Sequence, residues 1–427
     1  GDIKQILPKD FIFQTGNKNE LKKKLLKVIF LIKNRAEKIN KIKSSLKKSI
    51  NKKFRFKNQL NKFSLIWKEH LNIKNALLVV PTLVGGGAER VMTYLSEDLK
   101  NNGYKTTLVV LGQKDPTQYE ISKGTNLIYL NKSRSLFATK EIIKYFFGNY
   151  DLAISTIVQC NIICIFAKIV SFSRMRLFVR ETNTPSEILK YDWSLKNYFS
   201  FFVRKFYNFS DFVICNSNGV KLDLINNVKV RKDKTFLLPN SLNKNQILKK
   251  SKEKFKDIYS PYFLYAGRLS KQKNVHQMIN SFHTFYLSDK RYKLLIFGQG
   301  SEKNRLLRLI KKFKLERSII IKSFNNNIFK YIKNSKGVLL SSKWEGMPNI
   351  LLQSLYLDKP VLSTDCRSGP KELKKFGYSV RLAPVNDAIE YANQLKLLSK
   401  TKVNLKKNII LNKKYSDIYY KSINNLF

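Results

Sequence analysis

From about Asn75 onward the chain is a succession of short apolar runs, each closed by glycine, a cation or a polar pair. The first six are ALLVVP, TTLVVLG, LAIST at Leu152–Thr156, LFVRET at Leu177–Thr182, DFVICNS at Asp211–Ser217 and TFLLPNSLN at Thr235–Asn243. Three more follow: FLYAG ending at Gly267, KLLIFGQG ending in Gly298 and Gly300, and GVLLSS leading to Glu345. Runs this short, without apolar–polar alternation, predict strands buried on both faces, the habit of parallel sheets covered by helices. Helical segments fit between them. One opens at Gly85–Gly87, passes through MTYLSEDLKNNG and stops at Gly103, and another starts at Asn218. After Asp387 the pattern turns helical, with KYSDIYYKSINNLF as the final helix. The fold class is therefore α/β. Strands that deliver Gly, Arg, Lys or Glu at their carboxyl ends place a ligand crevice there.

A length of 427 residues predicts two domains with something added. The boundaries read from the pattern are 1–74 for an extension, 75–243 for a first domain and 244–410 for a second. A closing helix takes 411–427, and the interdomain crossing falls near Leu237–Asn243.

Charge changes the picture most. There are 81 basic and 30 acidic side chains, a formal net charge of +51, which draws a protein to anionic surfaces. Lysine and asparagine abound throughout, so part of the excess is plain composition. From Lys18 to Lys57 sixteen Lys/Arg stand against Glu20 and Glu37. Leu25, Ile29, Ile32, Ile39, Ile42, Leu46 and Ile50 recur there near helical spacing. This predicts a basic amphipathic helix on an anionic membrane, or else a hairpin packed on the core or a spacer from a longer polypeptide. No apolar run reaches the ~20 residues that span a bilayer. The start shows no signal-peptide pattern. Cys160 and Cys164 lie in the apolar run IVQCNIICIFA and read as buried small hydrophobes, not a metal pair. With Cys215 and Cys366 they make no disulfide framework, which fits a reducing compartment.

Arg268 and Lys273 in GRLSKQKN supply a planar fork and a point charge around one short turn after a strand. With a helix N-terminus they suit a diphosphate. Gly85, Gly86 and Gly87 let backbone approach a ligand, and Glu345 stands ahead of a helix. Each has a plainer reading alone: two solvated cations, an ordinary turn, or a helix N-terminal acid stabilising by ~0.3–1 kcal/mol.

The ordered set GGGAERV (Gly85–Val91), AGRLSKQKN (Ala266–Asn274), FGQGS (Phe297–Ser301), EGMPNILLQSL (Glu345–Leu355) and STDCRSGPKEL (Ser363–Leu373) resembles the retaining glycosyltransferases of family four, the group 1 glycosyltransferases. The resemblance implies the GT-B fold, two Rossmann-like domains facing across a cleft, with the last helix crossing back to the first domain. It implies that Arg268 and Lys273 neutralise the leaving diphosphate and that Glu345 accepts bonds from sugar hydroxyls. Gly86, Gly87, Gly298, Gly300, Gly346, Met347, Pro348 and Asn349 would bind the donor. Gln353 stands where the family has a second Glu that holds the ribose, so that contact is altered. Arg180, Glu181 and Asn183 of RETNTPSE match a segment facing the acceptor or donor sugar. The implied reaction moves a hexosyl or N-acetylhexosaminyl unit from a nucleotide-sugar, such as a UDP-sugar, to a lipid-linked or surface-polysaccharide acceptor. No Asp-x-Asp occurs, so no metal or other cofactor is expected. His70, His276 and His283 are not placed as a base, which fits a front-face mechanism with the diphosphate taking the proton. The expected location is the inner face of the cytoplasmic membrane. Two alternatives stand beside this: a basic nucleic-acid-binding protein, although no such motif occurs, and an inactive donor-binding homologue.

Overall fold

The computed structural model describes residues 74–115, 119–191, 206–254, 259–401 and 405–426. The basic helix expected over the extension lies outside the described residues, and Lys74 already opens the first strand. In chain order the first domain has β1 (Lys74–Val80), α1 (Gly87–Asn101), β2 (Tyr104–Val110), β3 (Asn126–Tyr129), α2 (Thr139–Phe146), β4 (Leu152–Thr156), α3 (Val158–Ser171), β5 (Arg176–Glu181), α4 (Pro185–Tyr191), β6 (Phe212–Cys215), α5 (Asn218–Asn226) and β7 (Thr235–Leu237). The second has α6 (Lys244–Ser251), β8 (Tyr262–Ala266), α7 (Val275–Ser288), β9 (Lys293–Phe297), α8 (Lys303–Lys312), β10 (Ile319–Lys322), α9 (Phe329–Asn334), β11 (Gly337–Leu340), α10 (Asn349–Tyr356), β12 (Val361–Thr364), α11 (Gly369–Phe376), β13 (Val380–Ala383) and α12 (Ala388–Ser399). A long helix, α13 (Leu405–Leu426), ends the described chain.

Both sheets are parallel throughout, in the orders β3-β2-β1-β4-β5-β6-β7 and β10-β9-β8-β11-β12-β13. Each order reverses direction once, between β1 and β4 and between β8 and β11. That is where an open α/β sheet binds ligands, above the carboxyl ends of the strands. The loop after β1 holds Gly85–Gly87. The loops after β8 and β11 hold Arg268 and Glu345. The chain therefore sets its chemical residues on both switch points.

The central strands are buried on both faces, which is why they read as unbroken apolar runs: Ala76–Val80 and Tyr262–Tyr265 have no exposed surface. In the first domain, α2 and α3 cover one sheet face and α1 the other. The second domain has one continuous core. Cys160 and Cys164 are buried in α3, as the apolar run predicts, and burial pushes the Cys164 thiol up to about 12. The closing helix joins the two domains by a four-residue period. Leu411 and Tyr415 enter the second core, and Tyr419 and Ile423 enter the first. It thus begins on the second domain and returns to the first. No described helix is long and apolar enough to cross a membrane.

Candidate active site

The first-domain wall of the cleft starts at the glycine turn. Gly86 caps α1 through its backbone alone. The Glu89 side chain folds back over it, so closely that a Cβ on Gly86 would fall 1.7 Å from Glu89 Oε2. That oxygen is buried with no hydrogen-bond partner. Burial pushes the Glu89 carboxyl above its ordinary range, against its own backbone N–H and the charges of Arg268 and Arg180.

The opposite wall is built from three turns. The β8 strand ends at Ala266, and the Arg268 turn is clamped by backbone bonds from Gly267 to Phe297 and from Leu269 to Gln299. Gly298 and Gly300 sit against this turn: a Cβ would meet Gly267 O at 2.0 Å and Leu269 O at 2.3 Å. Their lack of side chains lets two strand ends lie together. Arg268 is exposed, and its carbonyl accepts from Tyr265 Oη at 2.8 Å. Glu345 is 4% exposed, and its Oε1 accepts from Lys273 Nζ and from Ser342 Oγ, each at 2.5 Å. Oε2 has no protein partner among the described residues. Lys273 and Glu345, expected to address different parts of a donor, here face each other.

The two walls meet along a polar seam. Gly346 lies against Thr182, and a Cβ there would be 2.0 Å from Thr182 O and 2.7 Å from Asn216 Oδ1. Thr184 Oγ1 donates to Glu345 O at 2.8 Å. The Glu372 carboxylate accepts from the N–H groups of Asn218 and Gly219 at 3.0 and 2.7 Å, capping α5 from the other domain. Asn240, in the crossing, donates to Met347 O at 2.9 Å and to Asn349 Oδ1 at 2.6 Å. Asn349 in turn donates to Gly87 O at 2.7 Å. Met347 and Pro348 are buried at the start of α10, and Gln353 is buried further along it.

Arg180 and Glu181 differ from the expectation that they face a sugar. Arg180 is 1% exposed, donates to Asn240 Oδ1 at 2.5 Å, and burial lowers its pKa to about 10. Glu181 is buried and accepts from Tyr207 Oη and from the N–H groups of Thr182 and Asn183. The physical reason is position: both close β5 inside the sheet, so their side chains brace the turn that carries Thr182. Asn183 is half-buried and accepts from Gln272 of the other domain at 3.3 Å.

The other flank of the cleft is bridged by Arg90 of α1. Its guanidinium lies 4.4 Å from the Tyr119 ring and 5.4 Å from the Phe329 ring of α9. Lys250 on α6 pairs with Glu120 at 2.8 Å beside it. Among the described residues no three His, Cys, Asp or Glu side chains gather at metal-ligand spacing. Glu89, Asn240 and Thr184 were not singled out as site residues from the sequence. The PNS of the crossing was the available signal for Asn240.

A family model described as glycosyl transferases group 1 matches residues 246–415, and one described as glycosyltransferase family 4 matches residues 85–246. The chain belongs to the group 1 glycosyltransferases. Both walls of this glycosyltransferase's cleft thus fall within matched segments. An uncharacterized glycosyltransferase of Methanocaldococcus jannaschii is 33% identical over 174 residues, 39% of this chain and 43% of that protein. A second relative is the Campylobacter jejuni N-acetylgalactosamine-N,N'-diacetylbacillosaminyl-diphospho-undecaprenol 4-alpha-N-acetylgalactosaminyltransferase. It is 28% identical over 335 residues, 73% of this chain and 87% of the relative. Among solved structures, Anabaena HepE in complex with UDP and glucose matches with a TM-score of 0.60 at 14% identity, over 80% of this chain and 98% of that one. The glycosyltransferase therefore has the GT-B fold.

Proposed function

We propose that this glycosyltransferase moves a sugar from a UDP-sugar, with retention of configuration and without a metal ion, to a lipid-linked acceptor at the inner face of the cytoplasmic membrane. The observation that carries the reading is the convergence of Arg268, Lys273 and Glu345 on the β8/β11 switch point, opposite the Gly85–Gly87 turn. Arg268 and Lys273 stabilise charge as the diphosphate leaves, the role a divalent ion would otherwise take. Glu345 Oε2 accepts from a sugar hydroxyl while Oε1 stays fixed by Ser342. Retention follows from front-face transfer: the acceptor oxygen attacks on the side the diphosphate leaves, and a diphosphate oxygen takes the hydroxyl proton. The UDP part is supported by the Anabaena neighbour solved with UDP, and the acceptor class by the Campylobacter relative named for an undecaprenol-linked one. Gln353 at the ribose position still donates and accepts, so nucleotide recognition persists with a changed contact.

A thermal-shift screen of the full chain over UDP-, GDP- and ADP-sugars tests this, because a ligand that binds only the folded state raises its midpoint. A UDP-sugar should give the largest rise and leave UDP as product. A larger rise with a GDP- or ADP-sugar would overturn the donor assignment.

A further inference from the structure

We propose that the outer face of α2 and α3, together with the short turn Ser135–Ala138 that precedes α2, docks on an anionic lipid bilayer. These elements pack on one another and present large apolar side chains outward. Leu136 and Phe137 stand out from the turn, and Phe147 from the end of α2. Phe166, Ile169 and Val170 stand out from α3 at i, i+3 and i+4, one face of the helix. Phe172, just past α3, is 91% exposed and has φ 47°, a left-handed backbone that disfavours any residue with a Cβ. An aromatic side chain held in water by a disfavoured backbone points to a use for that position.

Charge selects the occupant. Residues 131–176 carry Lys132, Arg134, Lys140, Lys144, Lys168, Arg174 and Arg176 against only Glu141 and Asp151. Glu141 is neutralised by Lys132 at 2.7 Å, and Lys168 pairs with Asp211. Arg134, Lys140, Lys144, Arg174 and Arg176 remain exposed around the apolar strip. A second copy of this chain would bring like charge to like charge. So would the chain's own residues 18–57, with sixteen cations and two acids. An anionic headgroup layer over an acyl boundary satisfies both the rings and the cations.

The use of such docking rests on the lipid-linked acceptor proposed above, but the surface stands on its own geometry. The test is flotation of the full chain with vesicles of equal parts phosphatidylglycerol and phosphatidylcholine, against phosphatidylcholine alone. The parent should bind the anionic vesicles and bind the neutral ones far less. A Phe166→Ser/Phe172→Ser variant should lose about a hundredfold in binding, about tenfold per ring. A Leu287→Ser/Leu307→Ser variant, altering exposed leucines of the second domain, should bind like the parent. Tryptophan emission of Phe172→Trp should shift to the blue on anionic vesicles. Parent-like binding by the double Phe variant, or no shift, would overturn the proposal. So would a parent dimer that the double variant loses without lipid. Transfer to a water-soluble acceptor should be equal in parent and double variant. If the parent floats as stated but transfers nothing, the functional reading fails and the docking surface stands.

Discussion

Replacing Gly346 by alanine should disable transfer while leaving both domains folded. The new Cβ would lie 2.0 Å from Thr182 O, and Cβ atoms do not come within 3.0 Å of such neighbours. The seam must open by at least 1.0 Å, the difference of those distances. Backbone lies on both sides, so no rotamer change relieves the clash. The bonds Thr184–Glu345 and Asn240–Met347, and the two from Asn218 and Gly219 to Glu372, span 2.7–3.0 Å and would pass out of reach. At about 1 kcal/mol each, the four are worth roughly 4 kcal/mol of interdomain alignment. Losing it leaves Glu345 about 1 Å off its place, which costs on the order of 10²–10³ in rate. The assay is kcat/KM for sugar transfer, with the thermal midpoint and small-angle scattering as controls on fold and domain spacing. Each domain keeps its own core, so unfolding is not expected. Gly85→Ala is the comparison: it meets no atom within 4 Å and carries only the left-handed strain of φ 70°, roughly 1–2 kcal/mol. Activity in Gly346→Ala within about threefold of the parent would refute the seam as the device that sets the site.

Arg268→Ala and Lys273→Ala should each lower kcat by about tenfold or more, because each removes charge stabilisation of the departing diphosphate, and a chelator should leave the parent rate unchanged. Loss of activity with chelator, restored by a divalent ion, would sink the metal-free reading. Glu89→Gln tests the buried carboxyl by pH. The folded state raises the Glu89 pKa, so it holds that proton more tightly than the unfolded chain does. Stability from this residue is therefore full below the ordinary carboxylate pKa and is lost as pH rises through the raised one. The thermal midpoint of Glu89→Gln should exceed the parent's at pH 7 and fall level with it near pH 4; a lower midpoint at pH 7 would show that the carboxylate is stabilised by its cations.

Much of the fold was written in the apolar runs. ALLVVP, LAIST, FLYAG and GVLLSS became β1, β4, β8 and β11, the four strands at the two switch points. Central strands are buried on both faces, so their pattern is strong. The nine runs miss β3, β10 and β13, edge strands with one neighbour and incomplete burial that leave a weaker signature. They also miss β12, which is central and buried but only four residues long. The α3 helix was hidden for the opposite reason: VQCNIICIFAKIVS is apolar nearly all round, since one face meets the sheet and the other carries Phe166 and Val170. An apolar run without period does not separate helix from strand.

The site was legible as a set of residue types and not as a set of contacts. Arg268 and Glu345 could be picked out because each sits beside a glycine in the sequence, and Lys273 because it closes the short basic turn between a strand and a helix. Their mutual arrangement depends on a meeting of surfaces that no local pattern encodes. Thr182 follows β5 and Gly346 lies in the loop after β11, and the two touch across the seam while Arg180 is drawn inward to hold Asn240. The two flanks of the cleft also differ in strength. On the seam, the bonds from Thr184 and Asn240 are buried, so breaking them leaves unpaired polar groups out of water. On the Arg90 flank the Lys250–Glu120 pair is largely open to solvent, with Glu120 69% exposed, and such pairs contribute about 0–1 kcal/mol. The stacking of Arg90 on Tyr119 and Phe329 adds about 0.5–1 kcal/mol more. Even together these fall below the roughly 4 kcal/mol of the seam. The alignment of the two walls therefore resides at Thr182–Gly346, beside Glu345, and the closing helix reinforces that side through Tyr415, whose hydroxyl donates to Asn240 O at 3.3 Å.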